Sequence, residues 1–210
     1  SDWSSDVCSS DLVLGYRDLR QVTNDWETYS SDSPFRVPIP SEESVRSVRQ
    51  LPIERDPPLH TDYRALVEKW FKRPLKSEYK DRLRGLTDRL LTACADRDRF
   101  DAVSEFALPL QSKALTLLLN VPESEADLWI TWGTHVFRTG DGEAKGSELE
   151  AYLNAQFDRA EQDGGDDFFA ELTRADFQGR PLTREEELGF GNLAFAGGRD
   201  TVINSVTGLL

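Results

Sequence analysis

The chain has 210 residues, 38% of them hydrophobic, with 25 basic and 38 acidic side chains and a net charge of −13. That balance, with 30% charged and 10% aromatic residues, describes a globular protein with a core, and the excess of acid excludes a nucleic-acid partner, whose phosphates need clustered Lys and Arg. No apolar run is long enough for a membrane span, no signal peptide is recognisable, and Cys8 and Cys94 make neither a zinc site nor a disulfide framework, so a cytoplasmic, reducing setting is expected.

The sequence contains no methionine, which predicts that the natural start is missing. Residues 1–12, SDWSSDVCSSDL, are rich in Ser and Asp and offer almost nothing to a core. The string resembles one reading frame of a sequencing-library adapter and is expected to be an assembly artefact, which would leave 13–210 as the protein and make Cys8 meaningless. From there Val13 to Tyr16 suggests a short strand and Asp18 to Tyr29 a helix. A Ser/Asp/Pro loop follows, in which Phe35, Val37 and Ile39 sit between prolines and either pack as a lid (Phe35 to Pro40) or contact a ligand.

Asp56-Pro57-Pro58 reads as a helix start, with the helix running to about Arg73 and stopped by Pro74. Beyond it, Tyr79, Leu83, Leu86, Leu90 and Cys94 recur at spacings of three and four and predict one core-facing stripe, which makes Cys94 structural. Asp101 to Asn120 reads as a helix bent near Pro109. Ser124 opens another, with Leu128, Trp132 and Val136 on one face and His135 beside it as a packed residue. Helices over 147–162 and 166–173 follow, then a turn at Gln178-Gly-Arg-Pro-Leu182. The capping-box pattern Thr183-Arg-Glu-Glu186 opens a last helix that meets no stop signal before Leu210.

Three constellations could carry chemistry. The last helix holds Gly189, Gly191, Gly197, Gly198 and Gly208, each costing about 1 kcal/mol relative to alanine in a helix interior. Close packing explains such glycines. So does a gap at Gly197-Gly198 that admits a flat ligand beside Asp200 and Thr201, whose polar side chains could loosen the helix and pass protons. His60 and Arg64, four apart on one helix face, could chelate a carboxylate or merely be solvated. From Arg64 to Arg84 there are eight basic residues (Arg64, Lys69, Lys72, Arg73, Lys76, Lys80, Arg82, Arg84) and three acids (Glu68, Glu78, Asp81). Such a patch steers an acidic partner, or is an ordinary solvated face.

In order, these segments resemble the soluble bacterial type of the cytochrome P-450 family. ERDPPLHTDYR resembles the start of that family's C helix, in which a His and an Arg four residues later bind haem propionates; here they would be His60 and Arg64. GRPLTREEELGFGNLAFAGGRDT resembles the approach into the long central I helix with its Gly-Gly-x-Asp-Thr signature, and DAVSEFALPLQSKALTLLLNVP is similar to the E helix and the turn after it.

The resemblance covers residues 13–210. It implies a mainly α chain with a partial cytochrome P-450 fold, from the B to the I helix region, truncated at both ends and stopping within the I helix. It implies haem b as cofactor, Gly197 and Gly198 bordering the oxygen groove, and Asp200 and Thr201 as the catalytic proton relay. Gly197 stands where alanine is common, which widens the groove slightly.

The implied function is haem-dependent insertion of one atom of dioxygen into a small hydrophobic organic substrate. Electrons would come from a ferredoxin-like or flavin reductase partner docked on the basic face around Lys69, Lys72, Arg73 and Lys76. No metal ligand is expected here: the iron-ligating cysteine loop is absent, and Cys94 does not sit in its motif. The chain by itself is therefore expected to be inactive. The competing expectation is a non-enzymatic helical protein-binding module, in which the basic patch meets a protein and the glycines only permit packing.

Overall fold

The computed structural model describes residues 15–32, 48–95, 97–133 and 142–209. The candidate lid at 35–40, His135, Val136 and residues 1–14 with Cys8 lie outside them. The described elements are α1 (Tyr16–Asn24), α2 (Leu59–Lys72), a 3-10 turn (Arg73–Leu75), α3 (Ser77–Ala95), a π-helical segment (Ala102–Ala107), α4 (Leu108–Leu119), α5 (Glu125–Thr131), α6 (Gly142–Asp163) and α7 (Phe168–Thr173). The antiparallel hairpin β1 (Asp176–Phe177) and β2 (Arg180–Pro181) follows, then α8 (Arg184–Gly197) and α9 (Asp200–Thr207). The mainly α expectation holds.

Local chemistry sets the boundaries. Tyr16 opens α1 instead of ending a strand, because the Leu19 N–H already closes a turn on the Gly15 carbonyl at 2.8 Å. α2 begins three residues after Asp56, whose carboxylate accepts from the Ser30 hydroxyl and, at 2.8 Å, from the Ser31 N–H. Those bonds pin a loop and lower the Asp56 pKa. The bend expected near Pro109 is the π-helical segment, capped by Asp101 on the N–H groups of Val103 and Ser104, and Pro109 falls in the first turn of α4, where its missing N–H costs nothing. The stripe on α3 is as expected, with Leu86 and Cys94 buried and Leu83 and Leu90 packed against the small core of Phe106 and Leu110. On α5 the buried stripe is Ala126 and Trp129. Leu128 is exposed, and Trp132 enters the core only after the helix has ended.

The main core is built by α5, α6, α7 and α8 around aromatic rings. Phe195 of α8 takes Trp129 edge-on at 4.9 Å and Tyr152 at 5.9 Å, while Phe157 and Phe169 meet edge-on at 5.2 Å. Such pairs contribute about 0.5–1.5 kcal/mol each beyond their buried area. They fix the roll of α8 about its own axis.

A second knot ties α2 to the start of α8. The expected capping box is present, Thr183 accepting from the Glu186 N–H and Glu186 from the Thr183 N–H. Glu186 also accepts from the Tyr63 hydroxyl and from both terminal nitrogens of Arg180, at 2.8 and 2.7 Å. The Tyr63 ring stacks on Phe177 with centroids 4.0 Å apart, and Arg180 lies over the other ring of the pair, Phe177, at 5.1 Å. The Arg180 guanidinium holds the Glu186 carboxyl down to about 2. Its neighbour Glu187, buried and facing Arg184 at 3.5 Å, is pushed by burial up to about 7.

The last helix is two helices. α8 ends at Gly197, and Gly198 (φ −93°, ψ 0°) and Arg199 (φ −109°, ψ −83°) interrupt it before α9. The glycines separate by role. A Cβ on Gly189 would lie 2.5 Å from the Arg49 carbonyl, and one on Gly191 would lie 2.8 Å from Leu153, so both are packing glycines. A Cβ on Gly198 would lie 2.6 Å from the Ala194 carbonyl, whereas one on Gly197 meets open space. The carbonyl of Gly198, freed by the break, accepts from Gln111 Nε2 at 2.8 Å.

Two outcomes are expected. Gly198→Ala destabilises by about 1–3 kcal/mol through overpacking, while Gly197→Ala is neutral or stabilising by up to about 1 kcal/mol, read as urea midpoints. Stability also rises as pH falls from 7 to 4.5, since folded Glu187 takes up a proton that the unfolded chain does not, and it falls below 4.5 as Glu186 is protonated. The midpoint measured against pH should lose its upper slope, on the order of 2 kcal/mol, in Glu187→Gln, and its lower one in Glu186→Gln.

Candidate functional site

Between α2 and the end of α8 lies a cavity of about 390 Å³. Its walls are apolar, with Val67 and Phe71 from α2 facing Leu193 and Ala194 from α8, and Leu118 from α4 beside them. Gly197 and Gly198 close one wall, and the exposed Arg64 stands at the rim with no ion-pair partner among the described residues. Two segments more than 130 residues apart in sequence thus converge, placing Arg64 on the same cavity as Gly197 and Gly198.

The remaining expected site residues sit around it. His60 is half-buried one turn before Arg64 on α2 and does not line the cavity. Asp200 is the first residue of α9 and half-buried. Thr201 is exposed, and its hydroxyl donates to the Gly197 carbonyl at 2.9 Å, a bond to the residue four back that takes up the carbonyl left by the break. Cys94 is buried on α3 beside Arg97, at 3.3 Å, and is not part of the cavity. Among the described residues, no three His, Cys, Asp or Glu side chains converge on a metal site.

The basic stretch is partly compensated. Lys69 pairs with Glu171, Lys72 with Glu68 at 2.9 Å, and Arg84 with Asp81 at 3.0 Å. Arg73 donates to the Leu118 carbonyl and Asn120 and lies over Trp70. Among the described residues Arg73, Lys76, Lys80 and Arg82 meet no carboxylate.

Two contributors escaped sequence reasoning. Gln111 lies in an apolar helix without a motif. Arg199 was visible as a cation inside the apolar run Leu193 to Ile203, and it is fully buried, with its pKa lowered by burial to about 10.

A haem suits this cavity: apolar walls, an open space at Gly197 that a Cβ would fill, and a guanidinium, without an ion-pair partner among the described residues, for a carboxylate. No protein-family profile matches the chain. Curated relatives include the cytochrome P-450 monooxygenase PikC of Streptomyces venezuelae, 28% identical over 93% of this chain and 48% of that protein, and the putative cytochrome P-450 YjiB of Bacillus subtilis (strain 168), 25% identical over 93% and 50%. A solved structure described as a carbohydrate active P-450 superposes with a TM-score of 0.88 at 47% identity, covering 93% of this chain and 51% of that one. The hydroxylase HmtN of himastatin biosynthesis superposes with a TM-score of 0.72 at 27% identity, over 89% and 47%. The chain spans about half the length of the curated relatives it matches. Matched to cytochromes P-450 over about 93% of its length in both sequence and structure, the chain belongs to the cytochrome P-450 family.

Proposed function

We propose that the chain forms the haem-facing α2 and α8–α9 walls of a haem-dependent monooxygenase that inserts one oxygen atom of dioxygen into an organic substrate. The observation that carries this reading is the single cavity shared by Arg64, Gly197 and Gly198. Bound haem supplies the oxidising chemistry, and the protein supplies position, protons and a dry surrounding. Arg64 holds a propionate at the rim, and His60, one helical turn earlier, contributes a second donor once the propionate draws it in. Val67, Phe71, Leu118 and Leu193 exclude water from the faces of the ring.

Asp200 and Thr201 move the protons. In the resting helix the Thr201 hydroxyl proton is spent on the Gly197 carbonyl, so a rotation about its Cα–Cβ bond releases it toward the groove, and half-buried Asp200 replenishes it from solvent. Electrons arrive from a ferredoxin-like or flavin partner on the face of Lys69, Lys72, Arg73 and Lys76. The internal ion pairs of Lys69 and Lys72 leave Arg73 and Lys76 the stronger attraction for an acidic partner there. A cytoplasmic setting suits such a partner.

The substrate has two readings. Phe35, Val37 and Ile39 favour a hydrophobic molecule. The 47% identity to a carbohydrate-active P-450 favours a sugar, and we take the second because it rests on nearly the whole chain. Spin-state shifts of the haem-loaded protein with a panel of monosaccharides against a panel of apolar ligands decide between them.

The 210-residue chain alone should take up haem weakly and show no turnover, since its one cysteine among the described residues faces away from the cavity. Haem titration by Soret absorbance should find about tenfold weaker uptake in Arg64→Ala, the worth of one charge-assisted hydrogen bond. Equal uptake would favour the protein-binding module instead. In a haem-loaded protein carrying this sequence, Thr201→Ala should raise peroxide release per electron consumed by about tenfold with little change in haem content.

A further inference from the structure

Arg199 is the most anomalous side chain in the molecule. It is fully buried and, among the described residues, forms no ion pair and meets only the neighbouring Asp200 as compensating charge. One terminal nitrogen, Nη2, donates to both the Trp129 carbonyl, at 2.9 Å, and the Gly133 carbonyl. The other nitrogens, Nε and Nη1, find no acceptor among the described residues. The two carbonyls belong to the end of α5, where the turn tightens: Trp132 N–H donates to the Trp129 carbonyl, which Arg199 shares, and Gly133 N–H donates to Ile130.

A buried cation with unmet donors is costly, and replacing it by an apolar side chain of similar shape is often neutral or stabilising. Stability alone therefore does not account for an arginine at this position. What it does accomplish is mechanical. Arg199 belongs to the interruption between α8 and α9, and its guanidinium grips a different helix. We propose that Arg199 is a positioning residue, a latch that joins the end of α5 to the helix break, so that α5 and the Asp200–Thr201 turn are displaced together or not at all. Its unmet N–H groups gain water when the latch opens, which keeps the closed and open arrangements close in free energy. The consequence for proton delivery rests on the haem reading above; the latch itself does not.

Amide hydrogen exchange of the chain tests it, with Arg199→Met removing the donors at similar length and Arg199→Lys keeping the charge without the fork. For Arg199→Met the denaturation midpoint stays level or rises. Amides of 130–133 and of 200–205 exchange about tenfold faster, both segments together, while 149–160 are unchanged. Arg199→Lys gives a smaller acceleration, again in both segments, and decides the matter should the Met variant fail to fold. A lowered midpoint with uniform acceleration through 149–160 would mark Arg199 as an ordinary core residue and overturn the latch. So would acceleration confined to one of the two segments, or wild-type rates in both for Lys. Because no haem is involved, failure here leaves the Arg64 titration, and the cofactor reading it tests, standing.

Discussion

Everything at the cavity depends on one helix being held by its rings just before it is allowed to break. Phe195 sits two residues ahead of Gly197, and the edges of Trp129 and Tyr152 on its face leave it no freedom to roll. A helix gripped this firmly can afford an interruption one step later without losing direction. Were the aromatic contacts looser, the carbonyls of Gly197 and Gly198, now held by Thr201 and Gln111, would return to a continuous helix, and the groove would close.

The break is supported from three sides by chemically different means. Gln111 of α4 takes the exposed carbonyl, the Thr201 hydroxyl takes the one at Gly197, and Arg199 reaches outward to α5. Against this fixed wall, α2 presents an apolar face and a single cation. The contrast defines the kind of guest the cavity suits: planar, largely apolar, and carrying negative charge at one edge only. That description, reached from side chains, agrees with the family to which the chain belongs.

Much of this was legible beforehand, and for identifiable reasons. The capping box at Thr183 and Glu186 and the stripe on α3 are local patterns, written in spacings that a helix enforces. The pairing of Arg64 with Gly197 and Gly198 was legible only through resemblance, since no local rule joins residues so far apart. Spacing left the five glycines ambiguous, and only the neighbours of each missing Cβ separate the packing pair, Gly189 and Gly191, from the groove. Asp56 misled because an N-cap acid before two prolines is also well placed to catch a returning loop, and Ser30 and Ser31 claimed it. Leu128 misled because a seven-residue helix shows too little periodicity to choose between adjacent stripes.

The knot of Tyr63, Glu186, Arg180 and Phe177 ties the first turns of α2 to the beginning of α8, and neither Tyr63 nor Glu186 lines the cavity. From this tie the two helices run on to line the same cavity, with Phe71 on α2 and Gly197 on α8, so a small turn at the tie changes the gap between them. That gap is then set in part by a carboxylate that does not itself line the cavity. A substitution there alters the grip on a guest it never touches, which makes the tie a place where selection can tune affinity without disturbing the chemistry.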